Sequence, residues 1–324
     1  MVGGVTRPIP PAGPHGGDGP LVARALGLDP DQLLDLSQSL NPVAPDPRPV
    51  VAAHLDALGR YPDPTAAHAA LARCMGVDPD RLLLTNGGAE AIALVARELG
   101  GSVVEPEFSL HPRGDGPLWR SNPHNPTGLL AGSEERAAVW DEAFYPLASG
   151  QWTRGDEDAV VVGSLTKLLA CPGLRVGYVL ARPDVIHACR ADQPTWSLNG
   201  LAAASLADLL APLDLAHDCA RVRELRTQLR ALLEGHGLRV RPSDANWLLV
   251  ERAGLRDALI AEFILVRDCA SFGLVDVARI AVPTLEGLAR LRGALERMDP
   301  WLHEHEKMSH VTQTTTEENE SFHD

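Results

Sequence analysis

Lys167 is the residue in this sequence best suited to act as an amine nucleophile. The 324-residue chain has 29 basic residues, and only Lys167 and Lys307 among them are lysines. Arginine cannot form a stable imine or lose its proton near neutral pH. Lys307 lies in a polar C-terminal stretch, whereas Lys167 follows an apolar run at residues 159–162 that is typical of a buried strand. Because burial favours the neutral amine, we expect Lys167 to be the nucleophile in any chemistry that needs an amine.

Groups that could bind a phosphate flank Lys167 in the sequence. Ser164 and Thr166 offer hydroxyl donors, and Arg175, eight residues after the lysine, offers a guanidinium that can bind two phosphate oxygens. An isolated lysine is more often a surface residue at the start of a helix. The hydroxyls, the Pro172-Gly173 turn and the arginine together favour an anion site here.

A second candidate phosphate site follows the short apolar run of residues 81–85. The glycine pair Gly87-Gly88 ends this run, and residues 89–99 have a helical composition. Backbone N–H groups at a helix N-terminus suit a phosphate dianion, although a glycine pair alone is equally typical of a simple turn.

The segment from Ser164 to Tyr178 resembles the cofactor-lysine motif of the class I/II aminotransferases, which are fold-type-I pyridoxal-phosphate (PLP) enzymes. In that family the lysine forms the internal aldimine with PLP, and it then acts as the catalytic acid and base. The serine three residues before the lysine and the arginine eight residues after it bind the cofactor phosphate, and both spacings occur here. The resemblance implies a phosphate site made of Ser164, Thr166, Arg175 and the main chains of Gly88, Ala89 and Glu90.

Three more motifs resemble parts of the family's cofactor site, in the family's order. Residues 121–128 are similar to the Asn-Pro-x-Asn-Pro-Thr-Gly motif, in which Asn125 would donate to the phenolic oxygen of the cofactor. Asp141 resembles the catalytic carboxylate that keeps the pyridine nitrogen protonated, so that the ring can accept electrons. Phe108 resembles the aromatic residue that stacks on the ring, and His111 lies where a polar residue supports the acidic partner.

Two features depart from the family pattern. Phe144 occupies a position where many members have a tyrosine that donates to the phenolic oxygen, and phenylalanine cannot donate. Only 13 residues lie between Phe108 and Asn122, where the usual member has a helix and a strand. We therefore expect part of the large-domain sheet to be missing or replaced.

Two arginines and an N-terminal motif indicate the substrate. Arg279 resembles the strand arginine that binds the substrate α-carboxylate. Arg267 resembles the phosphate-binding arginine of the branch that contains histidinol-phosphate aminotransferase and threonine-phosphate decarboxylase. The motif His15-Gly16-Gly17 and residues 35–42 resemble the opening of threonine-phosphate decarboxylases of cobalamin biosynthesis, and His15 is therefore a candidate substrate-binding residue.

The resemblance, which covers residues 15–298, implies a PLP-dependent aminotransferase or decarboxylase that acts at the α-carbon of a small phosphorylated amino acid or amino alcohol. A threonine-phosphate decarboxylase-like enzyme is the first hypothesis. A histidinol-phosphate-type aminotransferase is the alternative, because transamination and decarboxylation use nearly the same residues. A non-catalytic PLP-binding regulator is a second alternative, kept open by the short segment after Phe108.

Partners and location follow from composition and from one further motif. Tyr61 resembles the tyrosine that reaches the cofactor phosphate of the neighbouring subunit, which implies a homodimer.

The net charge of −14 argues against a general nucleic-acid or anionic-membrane surface. Five scattered cysteines, no visible signal peptide and no apolar run long enough to cross a bilayer predict a cytoplasmic protein. His303 and His305 could bind a metal, but an exposed tail without a metal is the expected state.

The order of elements predicts an α/β protein with the fold of PLP-dependent transferases. Strands and helices alternate in the first two-thirds of the chain, as in a mostly parallel sheet, and a smaller α+β lobe follows. The predicted divisions are an N-terminal arm (1–45), a PLP-binding large domain (46–200), a small C-terminal domain (201–302) and a disordered tail (303–324). The last helix is predicted to span residues 285–298.

Overall fold

A computed structural model describes the backbone of residues 9–319 and the side chains of residues 9–302. In this part of the chain the helices are α1 (Gly19–Leu26), α2 (Arg48–Ala52), α3 (Thr65–Met75), α4 (Gly87–Leu99), α5 (Tyr145–Ser149), α6 (Leu165–Leu168), α7 (Pro183–Asp192), α8 (Gly200–Leu210), α9 (Leu215–Gly235), α10 (Leu255–Ala261) and α11 (Leu285–Asn319). The strands are β1 (Leu34–Asp35), β2 (Leu82–Asn86), β3 (Trp119–Ser121), β4 (Val139–Asp141), β5 (Val160–Ser164), β6 (Val176–Leu180), β7 (Arg239–Val240), β8 (Trp247–Glu251), β9 (Ile264–Leu265), β10 (Arg267–Asp268) and β11 (Val277–Ala281).

The larger sheet has five strands in the order β2-β6-β5-β4-β3. The pairs β3/β4 and β4/β5 are parallel, and β6 is inserted antiparallel between β5 and β2, so four of the five strands share one direction. Helices cover both faces, which explains why the central strands are continuous apolar runs without alternation. Leu82 and Leu84 pack with α3 and α8, whereas Leu83 between them packs with α4 and α7.

This topology brings the chemically important segments to one edge of the sheet. The parallel strands β3, β4 and β5 end at Ser121, Asp141 and Ser164 respectively. The strand β2 runs in the same direction and ends at Asn86, where α4 begins. Because β6 is antiparallel, it starts at this edge, directly after Arg175.

The smaller sheet, in the order β10-β11-β8-β7, is antiparallel throughout and is formed by residues 239–281. A buried apolar cluster joins its strands to α9, α10 and α11. The short strand β1, near the start of the chain, pairs in parallel with β9. The N-terminal part of the chain is therefore tied to the C-terminal part.

Two elements differ from the sequence predictions. The helix α11 continues to Asn319, through most of the segment predicted to be a disordered tail, because no glycine or proline after Pro300 interrupts it; residues 320–324 lie outside the described residues. The short apolar stretch at residues 102–104 is typical of a buried strand. In the structure it forms only one parallel bridge, between Ser102 and Leu118, since the short connection that follows leaves no complete partner strand. Within the described residues no helix combines the length and apolarity needed to span a membrane.

Candidate active site

A cavity of about 190 Å³ lies at the edge of the large sheet where the chemically important segments meet. Its walls come from both halves of the chain, because Lys167 and Arg175 face it from one half and Arg267 and Arg279 from the other. It is lined by the following residues assigned from the sequence: His15, Gly88, Ala89, Phe108, Asn125, Asp141, Ser164, Thr166, Lys167, Arg175, Arg267 and Arg279. The tertiary fold thus collects residues that are up to 264 positions apart in the sequence.

Glu90 and Tyr61 are not among the residues that line this cavity. The Glu90 carboxylate accepts hydrogen bonds from the backbone N–H of Asn86 at 2.7 Å and from Nε2 of Gln193 at 3.2 Å, so its side chain holds the start of its own helix. The predicted main-chain contact of Glu90 stays a prediction. Tyr61 is 74% exposed and stacks on Trp196, with ring centroids 4.4 Å apart.

Lys167 projects into the cavity from the single-turn helix α6, which follows β5. Its Nζ donates a hydrogen bond of 2.9 Å to the carbonyl oxygen of Gln38 and lies 5.9 Å from the centre of the Phe144 ring. Burial lowers the pKa of Lys167 from 10.5 to about 8, and the nearby positive charges of Arg279 and Arg175 act in the same direction. The amine is therefore easier to deprotonate than an exposed lysine, as the sequence analysis predicted.

Asp141, at the end of β4, is held by a buried histidine. Nε2 of His111 lies 3.0 Å from Oδ2 of Asp141, and Oδ1 of Asp141 accepts from the backbone N–H of Ala143 at 3.0 Å. The ring of Phe108 meets the His111 ring edge-on, with centroids 5.6 Å apart. His111 therefore joins the aromatic wall of the cavity to its carboxylate.

The start of α4 and the Arg175 side chain lie directly against each other. Gly87 has a left-handed backbone with φ of +73°, and a Cβ at this position would overlap the guanidinium of Arg175. Only glycine therefore allows this close approach without strain. Gly88, Ser164 and Arg175 all line the cavity, and Gly88 lies directly against Ser164.

Arg267 and Arg279 also line the cavity. Both side chains are buried; Arg279 donates from Nη1 to Oδ1 of Asn125 at 3.0 Å, and Arg267 donates from Nη2 to the carbonyl oxygen of Pro14 at 2.8 Å. Burial lowers the pKa of both guanidinium groups, and the charge of Arg267 further lowers the pKa of Arg279. His15, the residue after Pro14, lines the cavity and lies edge-on to Phe108, with ring centroids 5.8 Å apart.

Several contributors to this site carry no distinctive signal in the sequence. Gln38 and Ser121 both line the cavity. The carbonyl oxygen of Gln38 accepts a hydrogen bond from Lys167, and the hydroxyl of Ser121 accepts one from the backbone N–H of Asn125. Neither residue belongs to a chemically distinctive motif. Glu107, one residue before Phe108, is a buried carboxylate that binds the end of β3. In the sequence, Glu107 is distinguished only by its place next to Phe108, the residue that resembles the stacking aromatic.

The groups in this cavity fit PLP. Three buried polar atoms of its lining have no hydrogen-bond partner within the described residues: Oγ1 of Thr166, Nε of Arg267 and Nε of Arg279. The first backbone N–H groups of the 13-residue helix α4 lack intrahelical acceptors, and Arg175 adds a cation beside them, as a phosphate requires. The buried amine of Lys167 can react with an aldehyde, and the buried carboxylate of Asp141 can accept a hydrogen bond from a protonated pyridine nitrogen. No group of three metal-binding side chains occurs in the part of the chain that the structure describes.

Comparisons with known proteins identify the family of this chain. The family described as aminotransferase class I and II matches residues 111–295. A histidinol-phosphate aminotransferase of Symbiobacterium thermophilum is 32% identical, over 85% of this chain and 92% of that protein. A threonine-phosphate decarboxylase of Salmonella typhimurium is 31% identical, over 88% of this chain and 96% of that protein.

Solved structures share the fold. The histidinol-phosphate aminotransferase from Clostridium acetobutylicum superposes with a TM-score of 0.72 at 21% identity, covering 83% of this chain and 99% of that chain. The L-threonine-O-3-phosphate decarboxylase from Porphyromonas gingivalis gives a TM-score of 0.69 at 22% identity, covering 81% and 98%. The predicted fold class, that of fold-type-I PLP enzymes, is confirmed. The chain belongs to the class I and II aminotransferase family, and it is a PLP-dependent enzyme.

Proposed function

We propose that this enzyme acts at the α-carbon of a small phosphorylated amino acid, in the manner of a threonine-phosphate decarboxylase. The observation that carries the proposal is the pair Arg267 and Arg279, which lie on adjacent strands and both line the cavity of Lys167. Their hydrogen-bond partners are uncharged, namely the carbonyl oxygen of Pro14 for Arg267 and Oδ1 of Asn125 for Arg279. Two buried and unneutralised guanidinium groups suit a ligand with two anionic groups, such as a phosphate and a carboxylate.

In this proposal the cofactor phosphate is bound by Ser164, Thr166, Arg175 and the start of α4. Asn125 and Phe108 hold the ring, and Phe144, unlike a tyrosine, offers no donor to the phenolic oxygen. Arg279 binds the substrate carboxylate, Arg267 binds its phosphate, and His15 closes the cavity beside them. The substrate is thereby oriented by its two charged ends.

The proton chemistry is assigned to Lys167 and Asp141. When bound, PLP supplies an electron sink for the bond that breaks at the substrate α-carbon. Lys167, whose pKa of about 8 is close to neutral pH, can hold a proton and deliver it to the α-carbon. Asp141, oriented by His111, keeps a proton on the pyridine nitrogen.

The alternative activity is transamination of the histidinol-phosphate type, the activity named for the relative from Symbiobacterium thermophilum. Threonine phosphate carries both a carboxylate and a phosphate, which matches Arg279 and Arg267 in one molecule. Histidinol phosphate carries only the phosphate, so Arg279 would then serve the second substrate, an acidic keto acid. The two arginines therefore favour the decarboxylase-like reaction and also permit transamination.

Product analysis separates these activities. The purified PLP-loaded enzyme is incubated with threonine phosphate, and release of carbon dioxide together with an amino-alcohol phosphate is the expected result. A parallel sample receives histidinol phosphate and 2-oxoglutarate, and formation of glutamate there, without decarboxylation in the first sample, would replace the proposal by its alternative. If the loaded enzyme converts neither substrate, the proposed substrate class is wrong.

We also propose that the active form is a homodimer. Each chain then divides into an N-terminal arm (1–45), a PLP-binding large domain (46–200) and a small domain (201–302). Support comes from the exposed aromatic pair Tyr61 and Trp196, which leaves Tyr61 free to reach a neighbouring subunit. Mixed dimers of Tyr61→Ala and Lys167→Ala chains test this arrangement. Activity should reappear in the mixture, because one of its two sites then contains both native residues.

A further inference from the structure

The segment that brings Phe108 to the cavity and His111 to Asp141 has neither a helix nor a strand. It runs from the end of α4 at Leu99 to the start of β3 at Trp119, with a single bridge at Ser102. Regular backbone hydrogen bonds therefore cannot fix these two side chains. Other contacts must position them.

Arg113 supplies the first set of contacts. Its guanidinium lies on the outer side of the segment and donates to four backbone carbonyls and one carboxylate. The acceptors are the carbonyl oxygens of Glu107 at 3.1 Å, Phe108 at 3.1 Å, Ser109 at 3.2 Å and His111 at 2.6 Å, and Oε1 of Glu105 at 2.7 Å. One side chain thus satisfies carbonyls that a helix would otherwise satisfy.

Glu107 supplies the second set of contacts from the inner side. Its side chain is only 1% exposed, and its carboxylate accepts the backbone N–H of Phe108 at 2.8 Å and that of Ser121 at 2.9 Å. It also accepts the hydroxyl of Ser121, which in turn accepts the backbone N–H of Asn125 at 2.9 Å. Glu107 therefore ties the Phe108 turn to β3 and, through Ser121, to Asn125.

The same carboxylate faces the back of the histidine that holds Asp141. Nδ1 of His111 lies 3.8 Å from Oε1 of Glu107, while Nε2 lies 3.0 Å from Asp141. Both nitrogens of this buried ring therefore face a carboxylate. Only Nε2 is hydrogen-bonded, because 3.8 Å is too long for a hydrogen bond from Nδ1. The Asp141 contact therefore fixes the ring, and the Glu107 carboxylate places a negative charge behind it.

We infer that Glu107 and Arg113 are positioning residues that replace the shortened part of the sheet and set the geometry of the cofactor ring site. Glu107 and Arg113 act through Phe108 and His111, and through His111 on Asp141. The inference rests on the proposed cofactor site, but it does not depend on which substrate the enzyme uses.

The first test is Glu107→Gln, which preserves volume. The native carboxylate accepts donors on both oxygens, and an amide must turn an NH₂ group toward one of these donors. The dissociation constant of PLP, measured by titration of the cofactor-free protein, should rise roughly 10-fold. The visible circular dichroism of the bound cofactor should also change, because it reports how the ring is oriented in its site.

Glu142→Gln is the matched control. Glu142 is equally buried and accepts a backbone N–H, that of Arg154 at 3.1 Å, but it does not line the cavity. This variant should lose thermal stability while keeping the PLP dissociation constant and the circular dichroism of the wild type. If Glu107→Gln matches this control in all three measurements, Glu107 is merely structural and the inference is wrong.

Arg113→Lys provides a second test should Glu107→Gln fail to fold. Lysine keeps the charge beside Glu105, but one ammonium cannot reach four carbonyls, so PLP binding and the circular dichroism should change as for Glu107→Gln. Arg97→Lys is its control, since Arg97 makes a surface ion pair of 2.9 Å with Asp192. Unchanged cofactor binding in Arg113→Lys would overturn the role of Arg113. A wild-type protein that does not bind PLP would instead overturn the cofactor site itself, and the inference with it.

Discussion

Arg267 and Arg279 are direct partners across the antiparallel pair β10/β11, and both are buried. Like charges directly opposite each other in a sheet are destabilising. Here each guanidinium packs over an aromatic ring, Arg267 over Phe272 at 4.5 Å and Arg279 over Trp247 at 4.9 Å. Aromatic faces stabilise the cations but do not neutralise them. The arrangement is typical of a site that is completed by an anionic ligand.

Arg267→Ala should therefore discriminate between phosphorylated and unphosphorylated ligands. Charge-assisted hydrogen bonds contribute about 1.5–3 kcal/mol, so binding of a phosphorylated substrate should weaken by roughly 10- to 150-fold. Binding of the matching unphosphorylated amine should barely change, because Arg279 and the cofactor would still hold it. Equilibrium binding of both ligands checks this, and equal losses for the two would remove the argument for a phosphorylated substrate.

Gly87→Ala should weaken binding of the cofactor through its phosphate. The added methyl group would displace the guanidinium of Arg175, so the affinity for PLP should fall by about 10-fold or more, while the affinity for pyridoxal, which has no phosphate, should stay nearly constant. Gly76→Ala is a matched control, since Gly76 has a similar φ of +66° but open space around it. A similar effect of both substitutions on PLP binding would assign the loss to backbone strain alone.

Asp141→Asn should separate cofactor binding from turnover. The amide can still contact His111, so PLP should remain bound, but the pyridine nitrogen would lose its anionic partner. Turnover should fall by roughly 100-fold or more, as when one preorganised electrostatic group is removed from an active site. Asp218→Asn, at a buried carboxylate that does not line the cavity, serves as the control. Unchanged turnover in Asp141→Asn would show that Asp141 does not serve the ring nitrogen.

Lys167→Met should change how the stability of the cofactor-free protein depends on pH. The pKa of Lys167 is about 8 in the folded protein against 10.5 without the fold, so the unfolded chain binds more protons between these values. Below pH 8 the folded protein carries a buried cation at a cost of about 3 kcal/mol, and this cost disappears as the pH rises toward 10.5.

Methionine carries no such cost at any pH. The free energy of unfolding of Lys167→Met relative to the wild type should therefore be largest near pH 7 and should decrease at higher pH. Urea unfolding at pH 7 and pH 9.5 measures this difference. A difference that does not vary with pH would mean that Lys167 titrates normally in the folded protein.

The sequence by itself determined the local constellations of the site. Ser164, Lys167 and Arg175 lie within one strand–turn–strand segment, and their spacing survives folding because short stretches of chain allow few conformations. The rarity of lysine also made Lys167 the only practical amine. Most of the helices and strands could also be predicted, because apolar runs and the glycines and prolines that end them are local features of the sequence.

Only the tertiary structure decided the relationships between distant segments. The strand register places Arg267 opposite Arg279, and a shift of one residue would turn one of these side chains away from the cavity. Likewise, Glu107 appears in the sequence as an ordinary acidic residue. Its role depends on Ser121, which reaches it because the shortened segment folds back onto β3. Such contacts depend on strand order and direction, including the antiparallel insertion of β6, and local residue patterns do not encode them.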